Sequence, residues 1–507
     1  MITPAQVFAS HLIAQLATFE TQFWLAPGSR SQALAIAADS VSKVSNSKLH
    51  VRIDERSLAF HALGAAISGK LQAIITTSGT AVANLHPAVL EAHHSGIPLI
   101  LLTADRPSEL RDKGANQTTY QRNIFGKAVI KSFDVQAPKE SDLESLPLKA
   151  KDLVSEIVAL AVQNSQPIHI NLQFTEPLSS ATPDAGEIYQ TLEPKELPKR
   201  LDQYLQVDHA PETIIIAGAN ADEFHKEITS SDLPVFAEPN SGLRGENSSI
   251  ASYRHLLSSN HPLLSEIKEI FVYGKPTLSR DILKLIANPH IKVSSRLGKM
   301  GRFQMPGVSK VYSNQLGLKG TLEWRDRWLE AEENLEISDV LNRAKIVEVA
   351  FRREDAVLVF GASQMIREAD LIAVKSRTKV WANRGLAGID GTIATASGIA
   401  LSKGKTRAII GDLTFLHDVG SLVIVEPLDL QVVVVNDNGG KIFAGLGLNK
   451  QLGRESYQKL FQTPQRFNVE DLAKAFAWRY VLASTVEEYV AALDLSGQVL
   501  IEVKLDS

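Results

Sequence analysis

The chain alternates short apolar runs with segments whose apolar residues recur at helical spacing. The first four runs have the length of strands: Phe23–Ala26, His50–Asp54, Ala73–Thr77 and Pro98–Thr103. Apolar runs of four to eight residues are typical of strands buried on both faces, and strands that alternate with helices pair in parallel. The N-terminal region is therefore predicted to be an α/β layer structure with a parallel sheet.

The same alternation recurs twice more along the chain. A second region has predicted strands at Thr213–Ala217, Pro234–Ala237, Glu269–Tyr273 and Ile291–Ser294. A third has them at Ala356–Phe360, Lys379–Ala382, Arg407–Ile410, Gln431–Asn436 and Gln498–Val503. Residues 175–212 are rich in proline and charge and show no sustained period, which is typical of a linker or peripheral segment. The prediction is α/β, with three doubly wound parallel-sheet domains at 1–180, 213–340 and 341–507 and a linker at 181–212.

Composition narrows the class of protein. A length of 507 residues exceeds what one core usually supports, and 44% apolar with 22% charged residues is ordinary for a globular protein. A net charge of -4 with dispersed basic residues predicts neither nucleic acid nor membrane as a partner. The chain has no cysteine, which excludes disulfides and thiolate sites and fits the reducing cytoplasm. Small molecules are the expected partners.

Two carboxylates of the third region follow strands that are expected to be neighbours. The strand Arg407–Ile410 leads to Asp412, a helix is predicted over Thr414–Val425, and the strand Gln431–Val435 leads to Asp437. Open α/β sheets bind ligands where the carboxyl ends of such strands meet. Mg²⁺ prefers carboxylates, backbone carbonyls and ligand phosphates, so these residues are candidate metal ligands. The alternative is that Asp412 only caps the next helix and the following Asn-Gly pair is only a turn.

Motifs in two regions together resemble the thiamine-diphosphate-dependent enzymes. One pattern in the third region resembles the diphosphate–magnesium signature of that family: a Gly-Asp pair is followed after about 25 residues by an Asn/Asp-x-Gly turn. Asp54-Glu55-Arg56 and the loop from Thr76 to Thr80 with Asn84 resemble its pyrimidine domain. A closer resemblance, to the branch that serves menaquinone biosynthesis, spans Pro27 to about Phe443. It rests on seven ordered segments: Pro27–Ser31, Asp54–Arg56, Thr77–Asn84, Thr103–Pro107, Gly114–Gln117, Asn383–Gly385 and Gly388–Gly391.

The resemblance assigns cofactor and metal residues. It implies that the N-terminal domain binds the pyrimidine, with Glu55 as the catalytic carboxyl beside the aminopyrimidine, and that the C-terminal domain binds diphosphate and magnesium. Ile389 would be the wedge that bends the cofactor. The implied cofactor-binding residues are Glu55, Ser78, Gly79, Asn84, Gly388, Ile389, Asp412, Leu413, Ile442 and Phe443. The implied ligands of Mg²⁺, with Mn²⁺ as the alternative, are Asp412, Asp437 and Gly439. Many members carry Asn at the position of Asp437, so this site gains a second carboxylate.

The resemblance also implies substrates. Members of that branch decarboxylate 2-oxoglutarate and add the product to isochorismate, and both substrates carry carboxylates that arginine binds bidentately. The implied substrate-binding residues are Ser29, Arg30, Arg106, Asn116, Gln117, Arg280, Ser363, Arg367 and Arg384. The family forms homodimers or dimers of dimers, with the glutamate and the metal site meeting across subunits. An acetolactate-synthase type carboligase and a nonenzymatic ligand-binding relative remain alternatives, and the arginine set and intact Glu55 speak against them.

Overall fold

The computed structural model describes residues 2–198, 203–332 and 336–505. The chain divides into two compact units. The first comprises the N-terminal 200 residues with Ser397–Ser402, and the second comprises the remainder. Every ladder between named strands in the described ranges is parallel. The predicted α/β class with parallel sheets is confirmed.

The first unit is built on one six-stranded sheet. Its strands are β1 (Gln22–Leu25), β2 (Leu49–Val51), β3 (Gln72–Thr76), β4 (Leu99–Asp105), β5 (Ser132–Val135) and β6 (Ile168–Gln173). They are ordered β2-β1-β3-β4-β6-β5. The helices are α1 (Pro4–Ala17), α2 (Gln32–Ser42), α3 (Glu55–Ala65), α4 (Thr80–Asn84), α5 (His86–Ser95), α6 (Leu146–Asn164) and α7 (Ala185–Gln190).

Helices cover both faces of this sheet, which is why its central strands β3 and β4 are buried throughout. Alternate residues of β1, β3, β4 and β6, such as Phe23, Ile75 and Leu102, share one core with α1, α2 and α6. Helix α3 packs against β3 and α5 and covers other parts of the sheet. All residues of β3 and β4 are buried, as expected for parallel strands between two helix layers.

The second unit begins with a five-stranded sheet. It contains β8 (Thr213–Ala217), β9 (Val235–Ala237), β10 (Glu269–Tyr273), β11 (Lys292–Arg296) and β12 (Val308–Tyr312), in the order β12-β11-β10-β8-β9. A separate pair joins β7 (Tyr204–Gln206) to β13 (Gln315–Gly317). The helices here are α8 (His225–Thr229), α9 (Tyr253–Ser258), α10 (Arg280–Ile286) and α11 (Leu322–Glu330).

The last sheet has six strands. They are β14 (Val357–Phe360), β15 (Val380–Trp381), β16 (Thr406–Gly411), β17 (Leu430–Asn436), β18 (Arg479–Ala483) and β19 (Gln498–Lys504). Their order is β15-β14-β16-β17-β19-β18. The helices are α12 (Arg343–Arg353), α13 (Gln364–Leu371), α14 (Thr392–Lys403), α15 (Asp412–His417), α16 (Leu448–Leu452), α17 (Arg454–Tyr457), α18 (Val469–Ala475) and α19 (Val486–Ala492).

All three large sheets reverse winding direction beside their first strand in the chain. In the first sheet β1 lies between β2 and β3, and in the last sheet β14 lies between β15 and β16. The two six-stranded sheets therefore share one strand order. Ligands of doubly wound sheets bind at such switch points, outside the carboxyl ends of the strands. The topology thus points to one crevice beyond β1 and β3 and another beyond β14 and β16.

Some sequence predictions differ from the structure. The helix predicted over Thr414–Val425 is wrong in extent: α15 ends at His417, and a 3₁₀ turn follows at Val419–Leu422. The segment expected to be a linker contains α7, which packs on α1 and α2, and β7. The domain bounds 1–180, 181–212, 213–340 and 341–507 stay predictions.

No helix within the described part of the chain combines the length and apolar character needed to cross a bilayer.

Candidate active site

The switch point of the last sheet opens into a cleft with a cavity volume of about 160 Å³. Most of its wall is formed by residues at or just after the ends of β14, β16 and β17, as the strand order requires. Arg343 of α12 and Ile389, which follows β15, complete the lining. Strands β16 and β17 are direct neighbours, with Gly411 opposite Val435. The cleft brings together eight of the predicted site residues: Ser363, Ile389, Asp412, Leu413, Asp437, Gly439, Ile442 and Phe443.

Asp412 ties the start of α15 to the glycine turn after β17. Its Oδ1 accepts a hydrogen bond from the backbone N–H of Leu413 at 2.8 Å, and its Oδ2 accepts one from the N–H of Gly439 at 2.7 Å. The N-cap of α15 is Gly411, so Asp412 is not the capping residue of that helix, and its carboxylate also binds the turn after β17. Asp412 is only 4% exposed, and burial raises the pKa of its carboxyl although these two N–H groups oppose the rise.

Asp437 is the second carboxylate of the cleft, and it is paired with an arginine that the sequence did not single out. Arg343, the first residue of α12, donates from Nη2 to Oδ2 of Asp437. Asn342 caps this helix by accepting from the N–H of Lys345 at 2.9 Å. A basic residue in the first turn of a helix, where acidic residues are favoured, is the signal that could have drawn attention to Arg343.

The glycine turn is held by the segment that follows it. Gly439 has a φ of 114°, and a Cβ there would lie 2.2 Å from the carbonyl oxygen of Gln462. Gly440 donates its N–H to the same carbonyl at 2.6 Å. The side chain of Gln462 donates to the carbonyl of Asn438 at 3.1 Å. Only glycine satisfies both the backbone conformation and the close approach at position 439.

The donor set of this cleft fits a hard divalent cation. No three His, Cys, Asp or Glu side chains gather as metal ligands in the ranges that the structure describes, so side chains alone would not form the site. Mg²⁺ usually takes one or two carboxylates and completes its octahedron with water, carbonyl and phosphate oxygens. Asp412, Asp437 and the turn at Gly439 supply such a partial set. A cation would also offset the energetic cost of burying the charged carboxylate of Asp412.

At the switch point of the first sheet, the backbone of Gly28 lies very close to the side chain of Thr77. A Cβ on Gly28, which follows β1, would lie 2.3 Å from Cβ of Thr77, which follows β3. The glycine therefore allows the loops after β1 and β3 to touch. These loops carry the predicted residues Ser29, Arg30 and Ser78, so the contact fixes how closely they can approach each other.

Three predicted residues of the first unit form one hydrogen-bonded group. Arg106, which follows β4, donates from Nη1 to Oγ of Ser78 at 2.6 Å and to the carbonyl of Gln117 at 2.8 Å. The side chain of Gln117 donates to the carbonyl of Ser78 at 2.9 Å. Gly79 has a φ of 81°, and a Cβ there would lie 2.9 Å from Cγ of Gln117. The four residues form a compact cluster.

Gln121, a buried residue that the sequence did not indicate, links this cluster to the strands of the sheet. Gln121 accepts a hydrogen bond from the N–H of Gly79 at 3.2 Å and donates to the carbonyl of Ala104 at 2.9 Å and to Oδ1 of Asn171 at 2.7 Å. It is 1% exposed. The position of the Gly79 N–H is thus set by the strands of the sheet, through Gln121.

Glu55 opens helix α3. Asp54 caps that helix by accepting from the N–H groups of Arg56 and Ser57, which leaves the carboxyl of Glu55 available to its surroundings. Oε2 of Glu55 accepts from Nδ2 of the exposed Asn84 at 3.4 Å. The structure therefore brings these two predicted residues together, and their roles stay predictions.

Two pairs of like-charged arginines occur among the predicted substrate residues. Burial and the nearby guanidinium of Arg30 lower the pKa of Arg106, and burial and the nearby Arg280 lower the pKa of Arg367. Arg30 donates to the carbonyl of Phe174 at 3.2 Å, and its buried Nε has no hydrogen-bond partner among the described residues. The carboxylates of Asp105 and Glu176 partly offset the repulsion at Arg106, and Glu176 pairs with Arg30 at 3.5 Å. A further anion beside either arginine pair would reduce the remaining repulsion.

The remaining predicted residues are Arg384, Asn116 and Gly388. Arg384 is buried and donates to the carbonyls of Thr277 and Ala362 at 3.1 and 2.9 Å, which gives it internal partners. Asn116 is exposed, and Gly388 lies next to Asp390, whose Oδ1 would be 2.2 Å from a Cβ at Gly388. Their proposed contacts with ligands stay predictions.

Comparison with known proteins defines the class to which this fold and these sites belong. Residues 8–125 match the family described as thiamine pyrophosphate enzyme, N-terminal TPP binding domain. The crystal structure of benzoylformate decarboxylase from Polynucleobacter necessarius superposes with a TM-score of 0.66 and covers 100% of this chain and 99% of that one. At 15% identity it supports the fold alone. The chain is thus an enzyme of the thiamine pyrophosphate (thiamine diphosphate) class.

Curated relatives then identify the family. A protein of Clavibacter michiganensis subsp. michiganensis is 36% identical over 97% of this chain and 95% of its own length. One of Kineococcus radiotolerans is 38% identical over 92% of this chain and 89% of its own length. Both are named 2-succinyl-5-enolpyruvyl-6-hydroxy-3-cyclohexene-1-carboxylate synthase. The chain belongs to the 2-succinyl-5-enolpyruvyl-6-hydroxy-3-cyclohexene-1-carboxylate synthase family.

Proposed function

We propose that this enzyme uses thiamine diphosphate and a divalent metal ion to decarboxylate 2-oxoglutarate and to add the resulting four-carbon unit to isochorismate. The product would be 2-succinyl-5-enolpyruvyl-6-hydroxy-3-cyclohexene-1-carboxylate, an intermediate of menaquinone biosynthesis. Membership of the family supports the reaction. The supporting structural observation is the presence of two arginine pairs, because substrates with several carboxylates need fixed cations.

Each arginine pair would bind one anionic group. Arg30 and Arg106 repel each other in the first unit, as do Arg280 and Arg367 in the second, so a carboxylate would stabilise each pair. The arginine fork binds carboxylates bidentately, which fixes orientation as well as charge. The hydroxyl of Ser78, which accepts from Arg106, holds that side chain in place. An enzyme that takes only pyruvate would have no use for so many cations.

The other residues would hold the cofactor. Thiamine diphosphate, when bound, supplies the nucleophilic carbon and the electron sink for loss of carbon dioxide. Glu55, oriented by Asn84, would hold the proton that the aminopyrimidine exchanges. Asp412 and Asp437, with the turn at Gly439, would hold Mg²⁺ or Mn²⁺. The apolar wall would exclude water from the reacting groups: Ile389, Leu413, Ile442 and Phe443.

The direct test is product analysis. The purified protein is supplied with thiamine diphosphate, Mg²⁺, 2-oxoglutarate and isochorismate, and the product is identified by mass spectrometry. The predicted result is formation of the expected adduct. In a parallel reaction pyruvate replaces both substrates, and no acetolactate should form. Acetolactate formation would favour the acetolactate-synthase alternative. Turnover of neither substrate set would favour a nonenzymatic relative.

The arginine assignment is tested with charge-neutral variants. Arg30→Gln and Arg367→Gln should each lower kcat/KM for 2-oxoglutarate or isochorismate at least about 30-fold, because removing one partner of a buried charge pair costs roughly 2–5 kcal/mol. Affinity for thiamine diphosphate should be almost unchanged. Arg352→Gln, which removes an arginine that is mostly exposed, is the matched control. Wild-type kinetics in the first two variants would contradict the assignment.

We further propose that the enzyme acts in the cytoplasm as a homodimer or dimer of dimers. The proposal follows the family, and the absence of cysteine fits a reducing compartment. Two-fold symmetry is the commonest arrangement of soluble oligomers. Light scattering of the purified protein should give the mass of two or four chains. A mass of one chain, about 55.3 kDa, across a dilution series would contradict it.

A further inference from the structure

The ion pair between Arg343 and Asp437 lies inside the cleft proposed to bind the metal. Both residues line that cleft, and their side chains are 27% and 10% exposed. The pair joins the start of α12 to the loop after β17, two elements far apart in the sequence. A guanidinium therefore already neutralises one of the two carboxylates proposed to hold a cation.

The position of Arg343 is not explained by the helix on which it lies. It is the first residue of α12, an eleven-residue helix, and the partial positive charge of a helix N-terminus disfavours a cation there. Its surroundings are acidic instead. Burial raises the pKa of both Asp412 and Glu368, and the charge of Arg343 opposes the rise at each of them. Arg343 thus lies close to both carboxylates proposed to hold the metal: it pairs with Asp437 and acts on Asp412.

Arg343 and a divalent cation cannot both use the same carboxylate fully. Mg²⁺ binds carboxylate oxygens at about 2.0–2.1 Å and demands near-octahedral geometry, so a guanidinium bound to Oδ2 of Asp437 obstructs that oxygen. Two cations close together also repel each other. The diphosphate of the cofactor offers a new partner to the displaced guanidinium, because the arginine fork matches phosphate oxygens bidentately.

This inference rests on the proposed function. We propose that Arg343 is the counter-ion of Asp437 before the metal binds, and that the metal displaces it. The released guanidinium then binds the diphosphate. Arg343 is thus a cofactor-binding and positioning residue outside the set implied by the motifs. It makes metal and diphosphate binding interdependent. The metal alone binds weakly because it must break the ion pair, whereas the metal and diphosphate together leave no charge without a partner.

Binding measurements on the cofactor-free protein test this inference. Mn²⁺ binding is followed by electron paramagnetic resonance, and inorganic pyrophosphate binding by calorimetry at saturating Mn²⁺. Arg343→Gln should bind Mn²⁺ alone about tenfold more tightly than wild type and pyrophosphate about tenfold more weakly, the size expected for one hydrogen bond to a charged group. Arg352→Gln removes the same charge from the same helix outside the cleft and should match wild type in both.

A second variant tests the same ion pair from its other side. Asp437→Asn should free the guanidinium, so pyrophosphate should bind about tenfold more tightly than to wild type when no metal is present. Adding Arg343→Gln to Asp437→Asn should abolish that gain. This arm keeps the test decisive if Arg343→Gln does not fold.

The results separate this inference from the proposed function. If wild type binds Mn²⁺ and pyrophosphate but Arg343→Gln and Asp437→Asn behave like wild type, only the role of Arg343 is overturned. Weaker Mn²⁺ binding by Arg343→Gln would also overturn it, because Arg343 would then support the metal. If wild type binds neither ligand, the proposed cofactor site fails together with this inference.

Discussion

The contact between Gly28 and Thr77 predicts that alanine at position 28 destabilises the first unit. The added Cβ would lie 2.3 Å from Cβ, 2.6 Å from Cγ2 and 2.9 Å from Oγ1 of Thr77. Carbon atoms in contact normally lie about 3.5–4.0 Å apart, so the loops must separate by more than about 1 Å. Overpacking of this kind costs about 2 kcal/mol, which corresponds to a fall in Tm of roughly 4–8 °C for a unit of this size.

Thermal unfolding of matched variants checks this prediction. Gly28→Ala should melt below wild type and should lower kcat/KM for 2-oxoglutarate, because Arg30 moves with the loop. Thr77→Gly removes all three clashing atoms, so Gly28→Ala should cost little in that background, whereas Thr77→Ser keeps Cβ and should not rescue it. A Gly28→Ala protein that melts within 1 °C of wild type, or equal costs in all three backgrounds, would refute the close approach as the cause.

Three further predictions concern the site and its support. Glu55→Gln should bind thiamine diphosphate normally in calorimetry but lose at least about 100-fold in turnover, the usual contribution of a proton-transferring group; unchanged turnover would remove Glu55 from proton handling. Asp412→Ala should weaken cofactor binding at least about 100-fold while Asp437→Asn stays within tenfold, because an amide oxygen can still bind the metal; equal losses would mean that the turn is misassigned. Burial lowers the pKa of His169 to about 3, below its unfolded value of about 6.5. Stability should therefore be full above pH 6.5 and fall towards pH 3 by up to about 1.4 kcal/mol per pH unit, and His169→Asn should flatten that slope in denaturant titrations.

The buried parallel strands were the most predictable part of the fold. Strands β8 and β10 have the predicted bounds, because continuous apolar runs ended by turns have few alternatives. Strand β6 was missed because His169, Asn171 and Gln173 interrupt its apolar pattern. All three side chains are buried and form hydrogen bonds. Strand β18 was missed because it lies at the edge of its sheet and is largely unburied.

The candidate site was predictable where motifs mark it and not where pairing across the fold decides it. The residues that follow β16 and β17 were found because short motifs place them, and the structure gathers them in one cleft. Arg343 and Gln121 were missed because each acts through a partner far along the chain, Asp437 for the first and Gly79 for the second. No local sequence pattern predicts a contact between residues so far apart in the chain.

The strand order of the last sheet has a consequence for how the chain folds during synthesis. Strand β19 is the last strand along the chain but lies inside the sheet, paired with β17 on one side and β18 on the other. Translation proceeds at about 5–20 residues per second, so β17 waits several seconds for its partner after it has been made. Throughout that interval its edge, next to the proposed metal turn, is unpaired and can add a strand from another chain. The first sheet has the same strand order, so its β4 waits in the same way for β6, which is complete by residue 173. Ribosome pausing or nascent-chain binding proteins would therefore affect both six-stranded sheets.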